Sequence, residues 1–339
     1  MSRTARPTLR VIREDLTSGW STPYFLRMLD KGEVSALHPF PSLPHPLIAR
    51  AADSFGEEPQ EDHHEGPVRS AGKYNLKEIK DGQWRGGVWA QDEVCWLVVA
   101  GLAKGEHKDH DDFYKKVERL SDERASEIFR PTEEDIHLWR REVAATKMSE
   151  WDLRVQRLMT DLLERALSVG SSRLEIKHPL PEKLPNTARL LATVELEVKP
   201  IREPDYEYDD VLLTIEVADR WLSSDFAWHF IIRALTIVNP PEQDWDRFGN
   251  DLSTMAEPGV LAKRLTQLRE LNSRQELAQS EPGIVAHFVH KPTLTKHSYK
   301  GTATQAACGV IFVPRQDHEA LPVCPECENR MKLITLSGK

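Results

Sequence analysis

Residues 286–327 decide the fold of the C-terminal region and read A-H-F-V-H-K-P-T-L-T-K-H-S-Y-K-G-T-A-T-Q-A-A-C-G-V-I-F-V-P-R-Q-D-H-E-A-L-P-V-C-P-E-C. They contain three of the four cysteines in the chain. Cys324 and Cys327 form a C-P-E-C knuckle, whose two-residue spacing lets both thiolates face one ion. Cys308 precedes them by fifteen intervening residues, a usual arm length for a zinc ribbon. The pattern therefore predicts such a ribbon.

The predicted ribbon needs a fourth ligand. Histidine can supply it, because neutral imidazole and thiolate both suit tetrahedral zinc. His287, His290 and His297 all precede Cys308 within reach. Three thiolates and one imidazole fill all four coordination positions, so we expect a structural zinc ion rather than a catalytic one.

The C-P-E-C sequence has two other interpretations, a disulfide and a redox-active dithiol. The acidic chain has few cysteines and no signal-peptide pattern, so we expect it to be cytoplasmic, where disulfides are rare. A thioredoxin-like motif would place C-x-x-C at the start of a helix in a βαβ unit. Here the motif closes a short extended run at residues 321–323, which favours metal binding.

Three segments of this region carry a family resemblance. H-F-V at residues 287–289, A-A-C-G-V-I-F-V-P-R-Q-D at 306–317 and L-P-V-C-P-E-C at 321–327 resemble small actinobacterial zinc-ribbon domains of unknown function. In those domains the histidine that opens the H-[YF]-V triplet precedes the cysteines. The resemblance therefore favours His287 as the fourth ligand, and it implies no activity.

The composition of the whole chain limits its class. At 339 residues with 40% hydrophobic residues, it is long enough for about two or three domains with substantial cores. A net charge of −9 argues against a uniformly basic nucleic-acid binder, although a local basic face is compatible with it. No run approaches the roughly eighteen apolar residues that a membrane span requires, so we expect no membrane contact.

Residues 73–119 predict a small antiparallel sheet followed by a helix. Alternating apolar residues lead to a D-G turn at residues 81–82, which is a strong hairpin signal. Residues 84–90 form a second strand, and residues 94–102 are apolar on both faces, as in a central strand. A charged loop follows, and residues 113–120 repeat apolar side chains at helical spacing.

This order of elements resembles the RelE/HigB superfamily of toxin endoribonucleases. In that family a segment of the type K-x-L-x-D-G-x-W-x-x-R leads to a hydrophobic strand, a lysine-rich loop and a helix. The residues that fit are Leu76, Asp81, Gly82, Trp84 and Arg85, then 95–101 for the strand and 104–110 for the loop. The resemblance implies a toxin or host-defence effector whose concave sheet grips messenger RNA at the ribosome. It also implies a neutralising protein partner.

The implied chemistry is attack of a ribose 2′-hydroxyl on the adjacent phosphate without a metal ion. Such a step needs a base, cations that stabilise the developing negative charge, and an acid at the leaving oxygen. Under this resemblance Arg85 and Lys104 hold the phosphate. His107 or His110 transfers protons, and Tyr114 stacks on a base.

The loop G-E-H-K-D-H-D-D at residues 105–112 leaves other interpretations open. It carries four acids where the family usually places lysines, which weakens a phosphate-binding role and favours a degenerate relative that binds rather than cleaves. Its H-x-x-H spacing with adjacent carboxylates can chelate a divalent ion. Acidic residues at a helix start also complement the helix dipole without any further role.

The middle of the chain predicts helices and then a second sheet. Residues 121–167 read as two successive helices, with apolar stripes at helical spacing. Residues 190–198 and 211–217 alternate as strands and predict a hairpin across a loop at 204–210. Residues 195–225 carry ten acidic against three basic residues, so we expect an acidic sheet that repels RNA and could bind a basic partner.

These patterns together predict an α+β fold. We expect a RelE/HigB-like domain at residues 1–120, a helical connector at 121–170, a second α+β domain at 171–280 and a zinc ribbon at 281–339. The expected cofactor is Zn²⁺. The favoured function is a RelE/HigB-like endoribonuclease that cleaves or binds RNA. The alternative is a non-catalytic nucleic-acid-binding or protein-binding regulatory module of the same architecture.

Overall fold

A computed structural model of the protein describes residues 3–32, 39–91, 93–105, 109–122, 127–280, 285–289, 304–312 and 321–337. The chain forms two compact units, Met1–Thr146 (unit 1) and Lys147–Lys339 (unit 2). Both contain helices and largely antiparallel sheets, which confirms the expected α+β class. The finer division into four domains stays a prediction. No helix within the described ranges combines the length and apolarity that a bilayer crossing requires.

Unit 1 is built on a four-stranded sheet with the order β1-β4-β3-β2. Its elements are β1 (Thr4–Pro7), α1 (Pro23–Asp30), α2 (Pro46–Ser54), β2 (Lys77–Asp81), β3 (Trp84–Ala90), β4 (Val94–Leu102), α3 (Phe113–Asp122) and α4 (Glu133–Val169). The predicted strands at residues 84–90 and 94–102 are confirmed. Strand β1 was not predicted, and it pairs in parallel with β4.

Strand β4 is the centre of unit 1 because both of its faces are buried. On one face Cys95 and Leu97 share a core with the N-terminal segment and α2. On the other, Trp96 and Val99 pack with α3 and the first turns of α4. The pairing register with β3 shifts at Val98, which is the extra residue of a bulge. The bulge explains why the two apolar faces do not alternate strictly along β4.

A buried charge cluster satisfies the polar groups around this bulge. The Asp15 carboxylate is completely buried and accepts a 2.8 Å hydrogen bond from the Ala100 backbone N–H. It also pairs with Arg10 at 3.0 Å and with Lys116 of α3 at 2.7 Å. Arg10 in turn donates to the carbonyl oxygen of Val98. Buried backbone groups are costly to leave unpaired, so this cluster joins the N-terminal segment and α3 to β4.

A second buried pair links β1 to α4. The Arg6 side chain is 1% exposed and donates to the Glu142 carboxylate at 2.8 Å. Its guanidinium carbon lies 5.1 Å from the ring centroid of Phe40 and 5.3 Å from that of Trp96, within cation–π range. Burial lowers the pKa of Arg6, and the Glu142 charge opposes that shift. The paired charges, together with the rings, make a cation tolerable inside the core.

Unit 2 contains a five-stranded antiparallel sheet with the order β5-β6-β7-β9-β8 and a small β10-β11 sheet. Its elements, after the second half of α4, are β5 (Ser171–Lys177), β6 (Leu190–Glu203), β7 (Tyr206–Val217), α5 (Asp225–Val238), β8 (Asp246–Phe248), β9 (Asp251–Ala256), α6 (Val260–Arg274), β10 (Thr304–Gln305), β11 (Ile311–Phe312) and α7 (Pro325–Ser337). Apolar side chains of α4, α5 and α6 form one core with the five-stranded sheet.

Two expectations for the middle of the chain were wrong in detail. Two successive helices were predicted for residues 121–167, but Glu133–Val169 form the single unbroken helix α4 of 37 residues. No glycine or proline interrupts its hydrogen-bond ladder. The predicted hairpin forms, but its strands continue until only residues 204–205 separate them. Polar side chains on both faces of those strand ends hid the continuation from an alternation pattern.

Replacing Asp15 with asparagine tests the charge cluster beside β4. The change keeps the side-chain shape but leaves Arg10 and Lys116 without their counter-charge. We expect the free energy of unfolding to fall by about 2 kcal/mol, less than for a fully buried pair because both cations keep some contact with water. Urea denaturation of the full chain, with hydrogen exchange at the Ala100 amide, measures the loss.

The matched control is Asp111→Asn. The Asp111 carboxylate lies 4.0 Å from Lys104 with its side chain 83% exposed. Its loss should change the free energy of unfolding by less than about 0.5 kcal/mol. Equal losses in the two variants would contradict the role assigned to Asp15.

Candidate functional site

Cys308 lies in the tight turn that connects β10 to β11. The Ala306 N–H donates to the Val310 carbonyl oxygen at 2.8 Å, which closes the turn. Gly309 has a φ of +97°, a conformation that side-chain-bearing residues rarely adopt. In the C-G pair, Gly309 is therefore needed for the backbone conformation of the turn, and Cys308 supplies the thiolate.

Cys324 and Cys327 lie at the start of α7. Burial raises the pKa of the Cys324 thiol, but hydrogen bonds from the backbone N–H groups of Cys327 and Glu326 more than offset this, and the pKa is lowered. Pro325 at the first helical position fits, because its missing N–H would have no partner there. The motif was expected to close an extended run. Val323 does form a bridge, but a helix follows at once.

His287 is placed by backbone hydrogen bonds to both cysteine-bearing segments. The Cys324 N–H donates to the Ala286 carbonyl oxygen at 2.9 Å. The Ala307 N–H donates to the Phe288 carbonyl oxygen at 2.7 Å. The residues on either side of His287 are therefore each bonded to a different arm of the ribbon.

The four donor atoms converge. His287 Nδ1 lies 3.4 Å from Cys308 Sγ and 3.6 Å from Cys327 Sγ, and with Cys324 all four donors lie within 4.8 Å of one another. Zinc bonds of about 2.3 Å to sulfur and 2.0 Å to nitrogen give a tetrahedral S–N edge of about 3.5 Å. The two distances from His287 Nδ1 match this edge, and the four donors together could hold a metal ion. Burial lowers the pKa of His287, which favours the neutral imidazole that metals bind.

Of the three histidines considered from the sequence, His287 is the one that the structure brings to the cysteines. His290 and His297 lie outside the described residues. The remaining cysteine, Cys95, is buried in β4, and burial raises its pKa to about 11. That environment suits a packed apolar side chain rather than a ligand.

Among the described residues of the ribbon, the buried apolar cluster comprises Ala306, Cys324 and Cys327, with a few partly buried neighbours. Two of these three are candidate ligands. Small domains with little apolar core commonly depend on metal ligation for folding. Coordination at this cluster would therefore contribute directly to folding.

A side-chain amide joins the ribbon to the rest of unit 2. Gln243 Nε2 donates to the Val285 carbonyl oxygen at 3.2 Å, and Gln243 Oε1 accepts from the Val285 N–H at 3.4 Å. The Gln243 amide thus pairs with both the N–H and the carbonyl oxygen of Val285, as a neighbouring β-strand would. Within the ribbon, Arg330 of α7 donates to the Ala307 carbonyl oxygen at 3.0 Å and supports the Cys308 turn.

Two of the five candidate catalytic residues lie close to one carboxylate in unit 1. The Tyr114 hydroxyl donates to Glu78 Oε1 at 2.6 Å, and Arg85 Nε lies 4.0 Å from the same oxygen. Burial raises the pKa of Tyr114, and the bond to Glu78 raises it further. Glu78 was not identified from the sequence. In the sequence, Glu78 is an acid with lysines on both sides in the segment K-E-I-K, and this pattern does not indicate a buried carboxylate.

The other candidates belong to different contacts. Lys104 Nζ lies 2.8 Å from Asp109 Oδ2, and this hydrogen bond raises the pKa of Lys104. The Asp112 carboxylate accepts the Lys104 backbone N–H at 2.8 Å and another N–H in the first turn of α3, so it caps that helix. His110 is exposed, and His107 lies outside the described residues. These acids therefore serve local structure, as the helix-start interpretation predicts.

The fold and the four converging donors define an α+β protein with a C-terminal cluster that could bind a metal ion. Residues 279–334, which include all four donors, match a family model described as a protein of unknown function (DUF3039). No curated protein and no solved structure matches the chain.

Replacing Gln243 with alanine tests how the ribbon is held. The variant loses both amide bonds to Val285, so we expect local opening of the ribbon to become easier by about 1–2 kcal/mol. Hydrogen exchange at the Ala286 and Cys324 amides measures this as faster exchange.

Gln279→Ala is the control, because the exposed Gln279 amide donates to the nearby Leu277 carbonyl oxygen, and no bond to the described part of the ribbon is found for it. It should leave those exchange rates unchanged. If Gln243→Ala exchanges no faster than this control, the amide contacts do not hold the ribbon.

Proposed function

We propose that this chain is a non-catalytic binding or regulatory module whose C-terminal ribbon is closed by a structural zinc ion. The observation that carries the proposal is the convergence of three thiolates and the His287 imidazole within 4.8 Å. Zinc prefers this donor set in tetrahedral geometry, and the set leaves no coordination position for a substrate or water. Bound zinc would supply folding free energy rather than an open Lewis-acid site.

Two features of unit 1 support a binding role rather than RNA cleavage. Both faces of β4 are covered by packed side chains, whereas a sheet that grips RNA needs an open face. The Lys104 ammonium, a candidate phosphate ligand, is neutralised by Asp109. Residues 283–339 carry seven basic against four acidic residues, which is compatible with an anionic or a protein partner for the ribbon.

Metal analysis of the full chain, purified without chelators, tests the zinc assignment. We expect about one equivalent of zinc in the wild-type protein. Cys327→Ser should lose it, because one missing thiolate opens the coordination shell, and amides at residues 321–337 should then exchange rapidly. Amides of β4 should be unaffected.

The matched control is Cys95→Ala, which removes the one cysteine outside the cluster. It should keep its zinc even if the cavity it creates lowers the stability of unit 1. Less than half an equivalent of zinc in undamaged wild-type protein, or full retention by Cys327→Ser, would refute the assignment.

A second candidate function is the RelE/HigB-like endoribonuclease, and the Glu78, Arg85 and Tyr114 contacts favour it. In this scheme Glu78 takes the proton of a ribose 2′-hydroxyl while that oxygen bonds to the adjacent phosphorus. Tyr114 gives its proton to the departing 5′-oxygen as the P–O bond breaks, and Arg85 stabilises the phosphorane charge. The raised pKa of Tyr114 keeps the phenol protonated at neutral pH. The products are a 2′,3′-cyclic phosphate and a 5′-hydroxyl.

Inducible expression in a bacterial host, followed by mapping of messenger RNA ends, tests this second function. Wild-type protein should arrest translation and generate 5′-hydroxyl ends. Glu78→Gln should lower cleavage at least about 100-fold, because it removes the general base but keeps the side-chain shape. Glu65→Gln, at a half-exposed neighbouring acid, should cleave normally. Harmless wild-type protein that leaves messenger RNA intact, even when separated from any partner, would refute the endoribonuclease.

A further inference from the structure

In the part of the chain that the structure describes, helices cover one face of the five-stranded sheet of unit 2. Helices pack on the face that carries Val194, Leu213 and Leu252. The alternate residues on the other face are exposed or half-exposed, so no described element covers them. We call this second face the open face. Its side chains come from Ser171, Arg173, Glu175, Lys177, Thr193, Glu195, Glu197, Lys199, Ile201, Glu203, Tyr206, Tyr208, Asp210, Leu212, Thr214, Glu216, Asp246, Phe248, Asp251, Ser253 and Met255.

The strand register makes the open face continuous from edge to edge. One row across all five strands is Arg173, Glu195, Thr214, Asp251 and Phe248. Strands lie about 4.8 Å apart and rise about 3.3 Å per residue, so the five strands, of 7, 14, 12, 3 and 6 residues, cover about 670 Å². This approaches one side of a standard protein interface, which is about 800 Å².

The open face is strongly acidic. It carries eight carboxylates against the three cations of Arg173, Lys177 and Lys199. Arg173 already lies 3.3 Å from Glu216 and 3.9 Å from Glu195, so the excess negative charge is spread over the remaining strands. A continuous surface of one sign attracts a partner of the opposite sign and repels nucleic-acid phosphates.

Large apolar side chains are exposed among these acids at one end of the open face. Phe248 is 88% exposed and Met255 is 69% exposed, and Leu212 lies half-buried between their rows. Tyr206, 56% exposed, stacks on Tyr208 at a ring-centroid distance of 5.9 Å. Exposed aromatic and apolar groups inside a polar rim are typical of protein interfaces, where such residues supply most of the binding free energy.

We propose that the open face docks a protein that presents apolar side chains among lysines or arginines. Complementary charge selects this partner, and Phe248 and Met255 provide the apolar anchors. A second copy of this chain does not fit, because a two-fold contact through the open face would place like charges against each other. This inference goes beyond the proposed function by assigning a surface and a class of partner.

The probe is a fluorescent twelve-residue peptide of alternating lysine and leucine, which presents basic and apolar groups at strand spacing. Binding to the full chain is followed by fluorescence anisotropy at physiological salt. Reversing two central acids, Glu195→Lys with Glu197→Lys, should weaken binding at least about tenfold. Phe248→Ser should weaken it about threefold while leaving the charge unchanged.

The matched control reverses two exposed acids outside the open face, Glu118→Lys with Glu150→Lys, and changes the net charge equally. It should weaken binding less than twofold. Circular dichroism melting and zinc content should match the wild type in every variant, which separates a failure of this proposal from a failure of the ribbon. Equal weakening in the two double variants, absence of peptide binding, or tighter binding of a twelve-nucleotide single-stranded RNA would overturn it.

Discussion

Burial of β4 on both faces is the constraint on which unit 1 depends. In a strand that is buried on both faces, every backbone N–H and carbonyl group needs a hydrogen-bond partner. A bulge adds backbone groups that the neighbouring strand does not pair. Arg10 and Asp15 meet that need at Val98 and Ala100, and Lys116 balances the charge. The N-terminal segment is therefore part of the sheet's hydrogen bonding rather than an appendage.

The ribbon is stabilised by a different kind of interaction. Its described residues bury few apolar side chains, and three cysteines and a histidine converge where they could bind a metal ion. Backbone donors at the start of α7 stabilise the Cys324 thiolate, and Gln243 connects the ribbon to the body of unit 2. Metal binding here would act on the conformation of the unit rather than on a substrate.

Much of the fold and of the metal site follows from local sequence patterns. Strands β3 and β4 were predicted to their ends, because a D-G turn and a doubly apolar run are local signals. Cys324 and Cys327 follow as candidate ligands from the C-x-x-C spacing and Cys308 from the fifteen-residue arm, and His287 was favoured through the family resemblance. The β6–β7 turn was misplaced, because where both faces of a hairpin are polar, alternation no longer marks where a strand ends.

The sequence by itself determined the short-range features, namely helical and strand periodicity, the knuckle spacing and the acidic character of the second sheet. Tertiary structure alone decided which distant residues meet. Asp15 and Ala100 are 85 positions apart, and Arg6 and Glu142 are 136 apart. Tyr114 meets Glu78 across 36 residues, and the open face is the side of the second sheet on which no described helix packs. The physical reason is that periodicity records which face of an element is apolar, whereas burial of charge and coverage of a sheet depend on how elements pack.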